Sequence, residues 1–567
     1  MKKINFLICF ILLFVGIFIR ADDLSRHFSH RDDLMVPQFI LNYDQPAFRR
    51  ELDQARGIQR PLALAKYQIK KILSVPAVTT FAPLQFLATS FLLSPDQDYR
   101  DVLFLSRLPS FVFSILGLLL CLLFYWKYNR FTTPAVLMAL TLLTFSWENI
   151  IYAKQSNSYS IGVFVVLGLL CLLWTYLNRP LTIKNAAWYG FLLALLSHAQ
   201  YQMIFMIPAF LAAAFIYHWK NQKQSFKRAV STTGILALSY GIGVLPLFLF
   251  FLSKKLGAGA NFWNIGPHHE FLCPRIRILP LVEMISVLFH FFPTAFFAAF
   301  SAMTGFIPEN HPLFIPIAWI LLLLFFAGII YFLQTQDKRV KTLGLFFLFL
   351  GITWILLILL RKITLGPTRH ALVLLPCLAI MIAEGWFFLV GKINFSKNSR
   401  GIISSIIPLS IAVLFFYSYP SMMRQRKDPF DPVKIEAVLK QYNVRTVVSC
   451  HSTWNLHLMK NITSNFHYVT HYDNWFEDKG KPNFQRVAYV CHDKKIDEQT
   501  FNRTQSEINE VFERQRKPDY QWQDHFKDYR IIYSEERDSN TEMEFSARTK
   551  NGTNGFYYYV LDRNKLP

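Results

Sequence analysis

Long apolar runs punctuate the chain near residues 4–20, 104–126, 133–152, 159–177, 186–201, 203–219, 230–252, 313–333, 342–361, 370–391 and 401–418. Each is roughly 17–23 residues, the length that a helix needs to cross a hydrocarbon layer about 30 Å thick. The pattern predicts about 11 transmembrane helices. No convincing small-residue cleavage site follows the first run, which reads as an anchor, with a cleaved signal as the alternative.

The polar connections alternate in charge. Lys2–Lys3, "KYNR" at 127–130, "NRPLTIK" at 178–184, "KNQKQSFKR" at 220–228, "QDKRVK" at 336–341 and "KINFSKNSR" at 392–400 all carry Lys or Arg, and only one contains an acid, Asp337. Cytoplasmic connections carry such an excess of cations. The N-terminus is therefore expected inside. Segments 21–103 and 253–312, and everything after 419, are expected to face outward.

Two outward segments depart from the simple pattern. Residues 38–74 are too polar to span but hold helical stretches with an apolar face, as expected of a segment lying along the membrane surface. Residues 279–306 are apolar enough to span once, yet both neighbours are assigned outside. They are expected to form a re-entrant or interfacial helix broken near Pro293.

After Pro420 the apolar runs stop, and residues 421–432, "SMMRQRKDPFDP", read as a linker into a soluble domain. There "VRTVVSC" (444–450), "RVAYVC" (486–491), "YRIIYSEE" and "GFYYYVLDR" predict strands. The stretch "DEQTFNRTQSEINEVFERQR" predicts an amphipathic helix, so the domain is α/β. It contains no Gly-rich phosphate loop and no nucleophile triad. The expected division is a membrane domain, 1–418, with its first outward loop at 21–103, and a soluble domain, 419–567.

Composition agrees with this partition. The 567 residues are 53% hydrophobic and include 55 Phe, more apolar surface than one soluble core could bury. A net charge of +22 would suit nucleic acid, but much of it lies in the inside connections and beside the membrane, where topology and lipid headgroups account for it. No nucleic-acid partner is expected; the lipid bilayer is. Of seven cysteines, Cys9, Cys121, Cys171 and Cys377 lie within apolar runs as small hydrophobes. Cys450 and Cys491 lie in the outward domain, where an oxidising compartment would allow a disulfide. No metal-ligand spacing appears.

The chemistry starts at "FSHRDDLMVPQFI" (28–40), where Asp32 and Asp33 follow the first span. Charges kept near hydrocarbon tend to be functional or to have a partner. The alternative is a pair of solvated loop charges. Three further stretches begin at the outward face: "FAPLQFLATSFLL" (81–93), "SRLPSFVFSILG" (106–117) and "YAKQSNSYSIGVFVVLGLL" (152–170).

Their order resembles the GT-C membrane glycosyltransferases, the superfamily of protein O-mannosyltransferases and of the aminoarabinose transferase that modifies lipid A. In that family the first span ends near an Arg, as at Arg20, and an Asp-Glu pair follows, which Asp32–Asp33 resembles. A His-x-Pro-Leu stretch comes later in the loop, matched by Pro83 and Leu84. The next span opens with Arg-Leu-Pro-Ser, here Arg107 to Ser110. The loop after the third span reads Tyr-Ser-x-Glu-x-Arg-x-Tyr, against "YAKQSNSY". An Arg-Tyr opens a late span, where this chain has Arg369 and His370 ahead of Pro376. The motifs cover residues 1–400 in order, but each is short.

The resemblance implies transfer of a sugar from a polyprenyl phosphate to an acceptor hydroxyl or amine on the outward face, with inversion at the anomeric carbon. It implies Asp32 as general base with Asp33 beside it. Arg369, His370, Arg107 and His198 are candidates for the donor phosphate, and Pro83, Gln155, Tyr159 and Gln200 for substrate contact. A bland alternative accompanies several of these. Arg369 would serve equally as a snorkelling cation at a helix end, Arg107 as a pin for the first loop, and His198 and Gln200 as a satisfied polar turn. The pair His268–His269 reads as loop residues within reach of the acceptor.

The departures matter too. Gln155 stands where the family has Glu, Asn157 where it has Arg, Phe81 where it often has His and Asp33 where it has Glu. A neutral Gln cannot replace an anionic ligand for a hard divalent cation. The expectation is a metal-independent site without cofactor. Glu148 is either a substitute acid or a buried group at a helix interface.

A transporter or flippase would show related halves and charged or broken helices at midplane; no internal repeat is visible. A receptor would need only one span. The acceptor, whether protein, lipid or glycan, cannot be read from the chain. The sequons "NIT" (461–463), "NRT" (502–504) and "NGT" (551–553) would suit an endoplasmic reticulum lumen. The favoured setting is a bacterial inner membrane with a periplasmic catalytic face.

Overall fold

The computed structural model describes residues 2–22, 24, 36–37, 40, 59, 62–63, 83–93, 97–130, 133–179, 182–221, 225–247, 249, 281–308, 311–360, 363, 369–393, 397–425, 432–449, 467–470, 485–494, 530–539 and 554–562. By its contacts the chain divides into two units. One comprises Met1–Leu24, Gln45–Leu92 and Leu105–Pro420; the other comprises Ser25–Asp44, Leu93–Phe104 and Ser421–Pro567.

The first unit is helical. Its elements are α1 (Lys2–Ala21), α2 (Pro83–Leu92), α3 (Tyr99–Lys127), α4 (Pro134–Phe145), α5 (Trp147–Ala153), α6 (Tyr159–Leu177), α7 (Ile183–Ala199), α8 (Ile207–Ile216), α9 (Phe226–Leu247), α10 (Leu281–Thr304), α11 (Phe314–Gln334), α12 (Lys338–Leu359), α13 (Leu375–Lys392) and α14 (Lys397–Gln425). A 3₁₀ turn, Tyr201–Phe205, precedes α8, and another, Arg369–Leu374, precedes α13.

Among the described residues, eight helices are long and apolar enough to cross a membrane, or nine if the bent pair α4–α5 is one span. The protein is an integral membrane protein. The count differs from the expected eleven for local reasons. The run at 133–152 is bent by 55° between α4 and α5. The run at 186–201 is the 17-residue α7, diluted by Asn185, Ser197 and His198. The apolar part of α1, Phe6–Ala21, is also short of a full span by this measure.

Two other expectations are corrected. The segment around Pro293 is not broken: α10 runs continuously from Leu281 to Thr304 with the proline inside it. A proline removes one helical hydrogen bond, and apolar helices tolerate that where neighbours compensate. The linker expected from residue 421 starts as helix, because α14 passes through Pro408 and Pro420 to Gln425.

The core sits where helices approach most closely. Gly328 of α11 and Gly385 of α13 face each other's backbones: a Cβ on Gly385 would stand 1.8 Å from the Leu324 carbonyl oxygen, and one on Gly328 would stand 2.1 Å from that of Met381. Small residues at such crossings replace the hydrophobic drive that lipid cannot supply. The α7–α9 seam has the same character, with Gly190 against Leu236 and Ser239 Oγ donating to the Ala187 carbonyl at 2.6 Å.

Cations mark one end of this bundle. Helix α3 ends on Asn129 at φ 58°, with the Arg130 N–H bonded to the Tyr125 carbonyl at 2.9 Å. Asn tolerates this left-handed turn. The turn delivers Arg130 to Glu384, fully buried on α13, at 3.4 Å. The guanidinium also donates to Tyr331 Oη and lies 4.3 Å from the Phe387 ring centroid. At this end too, Lys127 donates to Thr175, and Arg339 donates to Asn178.

The second unit contains a five-stranded sheet. Its strands are β1 (Thr446–Ser449), β2 (His467–Thr470), β3 (Arg486–Lys494), β4 (Arg530–Ser539) and β5 (Asn554–Asp562), in the order β2-β1-β3-β5-β4. Strand β1 runs parallel to β2 and β3, and β5 runs antiparallel to β3 and β4. Helix α15 (Pro432–Gln441) precedes β1 and buries Ile435, Val438 and Leu439, spaced three and one apart on one face. The four sequence-predicted strands are present, and β2 is additional. The predicted helix between β3 and β4 and the surface segment 38–74 lie almost wholly outside the described residues, as does Cys450.

Candidate functional site

The site is built at the end of the bundle opposite Arg130. It begins with Arg20, in the last turn of α1 and fully buried. Its Nη2 donates to the Leu143 carbonyl at 2.8 Å, Nη1 to the Thr144 carbonyl at 3.1 Å, and Nε to Ser114 Oγ at 2.7 Å. Leu143 and Thr144 end α4, where carbonyls lack helical partners. A cation there also suits the helix dipole. Asn149 Nδ2 donates to the same Leu143 carbonyl at 2.8 Å, and Ser146 Oγ donates to the Met303 carbonyl at 2.8 Å. These bonds stabilise the bend between α4 and α5. Gly16 lets α1 come this close: a Cβ there would be 2.8 Å from Leu118.

The bend aims α5 at a buried polar loop, Lys154 to Ser158. In this environment every backbone polar group needs a partner inside the protein, and the Lys-Gln-Ser-Asn-Ser composition supplies them. Asn157 Nδ2 donates to Gln155 Oε1 at 2.8 Å, the Asn157 N–H bonds the Gln155 carbonyl at 2.9 Å, and the Tyr159 N–H bonds Asn157 Oδ1 at 3.2 Å. Ser110 Oγ, from the Arg-Leu-Pro-Ser stretch of α3, donates to the Asn157 carbonyl at 2.7 Å. Side chains of Ser and Asn favour such turns over continued helix.

Three residues hold the chain where it leaves α1. Lys154 Nζ donates to the Asp22 carbonyl at 2.7 Å, Arg107 Nη1 donates to the Leu24 carbonyl at 2.7 Å, and Tyr419 Oη donates to Asp22 Oδ2 at 2.7 Å. Arg107 and Lys154 are fully buried. Arg107 thus holds the main chain at Leu24, three residues beyond the end of α1.

The late span joins at the start of α6. The 3₁₀ turn that opens with Arg369 and His370 packs on α6. A Cβ on Gly162 would lie 3.5 Å from Gln200 Nε2 and 3.6 Å from Val373. Gln155, Tyr159, Gln200 and the Arg369 turn thus gather around the first turns of α6. The Tyr159 ring lies 5.1 Å from that of Tyr152, and Gln200 Nε2 donates to Gln202 Oε1 at 3.3 Å. His198 goes elsewhere: its Nε2 donates to the Gly243 carbonyl at 2.9 Å, in the α7–α9 seam. Pro83 is the first residue of α2. Glu148 is buried in the first turn of α5.

Asp32, Asp33 and the pair His268–His269 lie outside the described residues, and so do the side chains of Arg369 and His370. Among the described residues, no three His, Cys, Asp or Glu side chains are grouped to hold a metal ion. Sequence reasoning missed Asp22, Lys154 and Tyr419. For Asp22 a signal existed, since the first acidic pair after Arg20 is Asp22–Asp23, before Asp32–Asp33.

No protein-family model matches the sequence, and no curated protein matches it. Among solved structures, the chain is similar to the oligosaccharyltransferase of Archaeoglobus fulgidus in two crystal structures. The apo form is 11% identical, with a TM-score of 0.49 over 85% of this chain and 69% of that one. The form complexed with zinc and sulfate is 10% identical, with a TM-score of 0.47 over 84% of this chain and 67% of that one. The zinc and sulfate belong to that protein.

Proposed function

We propose that the protein is a membrane glycosyltransferase of GT-C type that moves a sugar from a polyprenyl-phosphate donor to an acceptor on the outward face. The observation that supports this most directly is spatial. Four short stretches that carry the sequence resemblance, namely the Arg20 end of α1, Arg107–Ser110, the Gln155–Tyr159 loop and the turn opening with Arg369, gather at one end of the bundle. They are far apart in sequence, and a shared site is the reading that their meeting supports.

In this reading Asp32 takes a proton from the acceptor hydroxyl or amine as that group bonds to the anomeric carbon. The bond from that carbon to the phosphate oxygen breaks with inversion, and the lipid phosphate leaves with its added negative charge. Arg369, followed by His370, meets that charge. Asp33 orients a neighbour or the acceptor. Gln155 is neutral where a hard divalent cation prefers charged oxygens, so the reaction is proposed to run without metal.

The proposed setting is a bacterial inner membrane with the site facing the periplasm. The test is mass spectrometry of lipids and surface glycans from a deletion strain. Loss of one sugar from one acceptor, restored by the intact gene, is the expected result. Unchanged lipids and glycans would refute the proposal.

A further inference from the structure

Asp22 stands in an electrostatically poor place for an acid. It immediately follows α1, at the end of a helix where backbone carbonyls carry partial negative charge. Two residues from remote parts of the chain nevertheless fix it. Tyr419, 397 positions away on α14, donates its hydroxyl to Asp22 Oδ2 at 2.7 Å and lies 3.5 Å from the Ile19 carbonyl. Lys154, 132 positions away, donates to the Asp22 main-chain carbonyl at 2.7 Å.

The two holding residues are also neighbours, with the Lys154 ammonium 5.9 Å from the Tyr419 ring centroid. Helix-end packing accounts for the lysine, since a cation is favourable beside terminal carbonyls. It does not account for the tyrosine. A hydroxyl donated to one oxygen of an exposed carboxylate fixes the orientation of that carboxylate together with the turn that bears it. Among the described residues the bond to the Asp22 carboxylate is the one at Oδ2; none reaches Oδ1, and the residue is exposed. A carboxylate held at one oxygen and open at the other accepts hydrogen bonds from hydroxyl groups, the commonest feature of a sugar or its acceptor.

We propose that Lys154 and Tyr419 are positioning residues that hold Asp22 as a hydroxyl-accepting carboxylate of the transferase site. The inference rests on the glycosyltransferase reading for its purpose, but the clamp is independent of it. Asp22 lies close in sequence to Leu24, where Arg107 holds the main chain, and on the same end of the bundle as Gln155 and Tyr159. Its role is distinct from proton transfer, which stays with Asp32.

The experiment has two readouts on the full chain. Hydrogen exchange is followed across residues 18–26 of purified protein, and the glycan or lipid product is measured in the deletion strain at matched membrane abundance. Tyr419→Phe and Lys154→Met should speed exchange at Asp22 and Leu24 about tenfold, as expected of a loosened local segment. Both should lower product about tenfold through misplacement. Lys154→Arg should recover both readouts. Asp22→Asn keeps an oxygen for Tyr419 and should keep slow exchange, yet lose product by a similar factor.

Unchanged exchange in both Tyr419→Phe and Lys154→Met would remove the clamp. Fast exchange with full product would remove its positioning role, and full product from Asp22→Asn would remove the carboxylate's. A deletion strain with unaltered lipids and glycans would overturn the transferase reading and the purpose given to Asp22, while exchange still decides whether the clamp exists. Product that differs with sugar structure in Asp22→Asn assigns the hydroxyl to the donor. Product that differs with acceptor assigns it to the acceptor.

Discussion

Arg20 caps a helix that is not its own: its Nη2 meets the Leu143 carbonyl at 2.8 Å, across 123 residues of sequence. The bend between α4 and α5 depends on that bond and on its neighbour to Thr144. Arg20→Met should therefore take the guanidinium from the Leu143 and Thr144 carbonyls, leaving Leu143 only its bond from Asn149, and lower stability by about 3 kcal/mol, the order expected when buried acceptors lose a charged donor. Arg20→Lys should recover only part, because an ammonium cannot span Ser114 and both carbonyls. Unfolding of the purified protein in a graded denaturing detergent checks this, and an unchanged midpoint for Arg20→Met would contradict it.

The buried pair at the other end behaves differently. Glu384 is fully buried and meets Arg130 at 3.4 Å. Removing one partner strands a charge and should cost roughly 3–5 kcal/mol, whereas replacing both with apolar residues should cost much less. Comparing Arg130→Met, Glu384→Gln and the double variant Arg130→Met/Glu384→Met by the same unfolding assay tests the pairing. Additive losses would mean that the two side chains are not coupled.

The lipid phosphate supplies a third prediction. Arg369→Ala should weaken use of a polyprenyl-phosphate donor far more than Arg369→Lys, with about 2–4 kcal/mol lost from transition-state stabilisation. Mild and equal effects would leave Arg369 as a snorkelling cation. Donor dependence of product formation in membranes is the measurement.

Asp32→Asn retains shape but removes proton affinity, so turnover should drop by roughly 10²–10⁴ while the protein inserts normally. Asp33→Asn should be milder. Complementation of the deletion strain, with membrane abundance measured alongside, separates the two. Full activity of Asp32→Asn at normal abundance would send the search for a base elsewhere, beginning with Glu148.

Reporter fusions after residues 95, 265 and 430 should read outside, and those at 224 and 396 should read inside, from the Lys/Arg asymmetry. An inside signal at 430 would put the sheet-bearing unit in the wrong compartment for the proposed chemistry.

Most of the helical fold was legible because apolar run length is set by the membrane itself, and strands such as β3 and β5 announced themselves through β-branched and aromatic residues. The bend at Ser146 was not legible. Ser146 caps α5 and Asn149 bonds back to Leu143, but the share of Arg20, more than a hundred positions away, has no local signal in "TFSWEN". Pro293 misled in the opposite direction, since a proline read alone predicts a break that α10 absorbs. Strand β2, with four residues, is too short to carry a pattern. The site was partly legible for the same reason. Gln155, Tyr159 and Gln200 lie near the first turns of α6, whereas Asp22 stands out only through its contacts with Lys154 and Tyr419.

The contact between Tyr419 and Asp22 sets an order of assembly. The ribosome releases α1 before α14, so the turn at Asp22 waits through 397 further positions of synthesis for the hydroxyl that completes it. A chain stopped before α14 would thus insert its earlier helices yet leave this end of the bundle unfastened. In the course of biogenesis, completion of this end coincides with the arrival of α14.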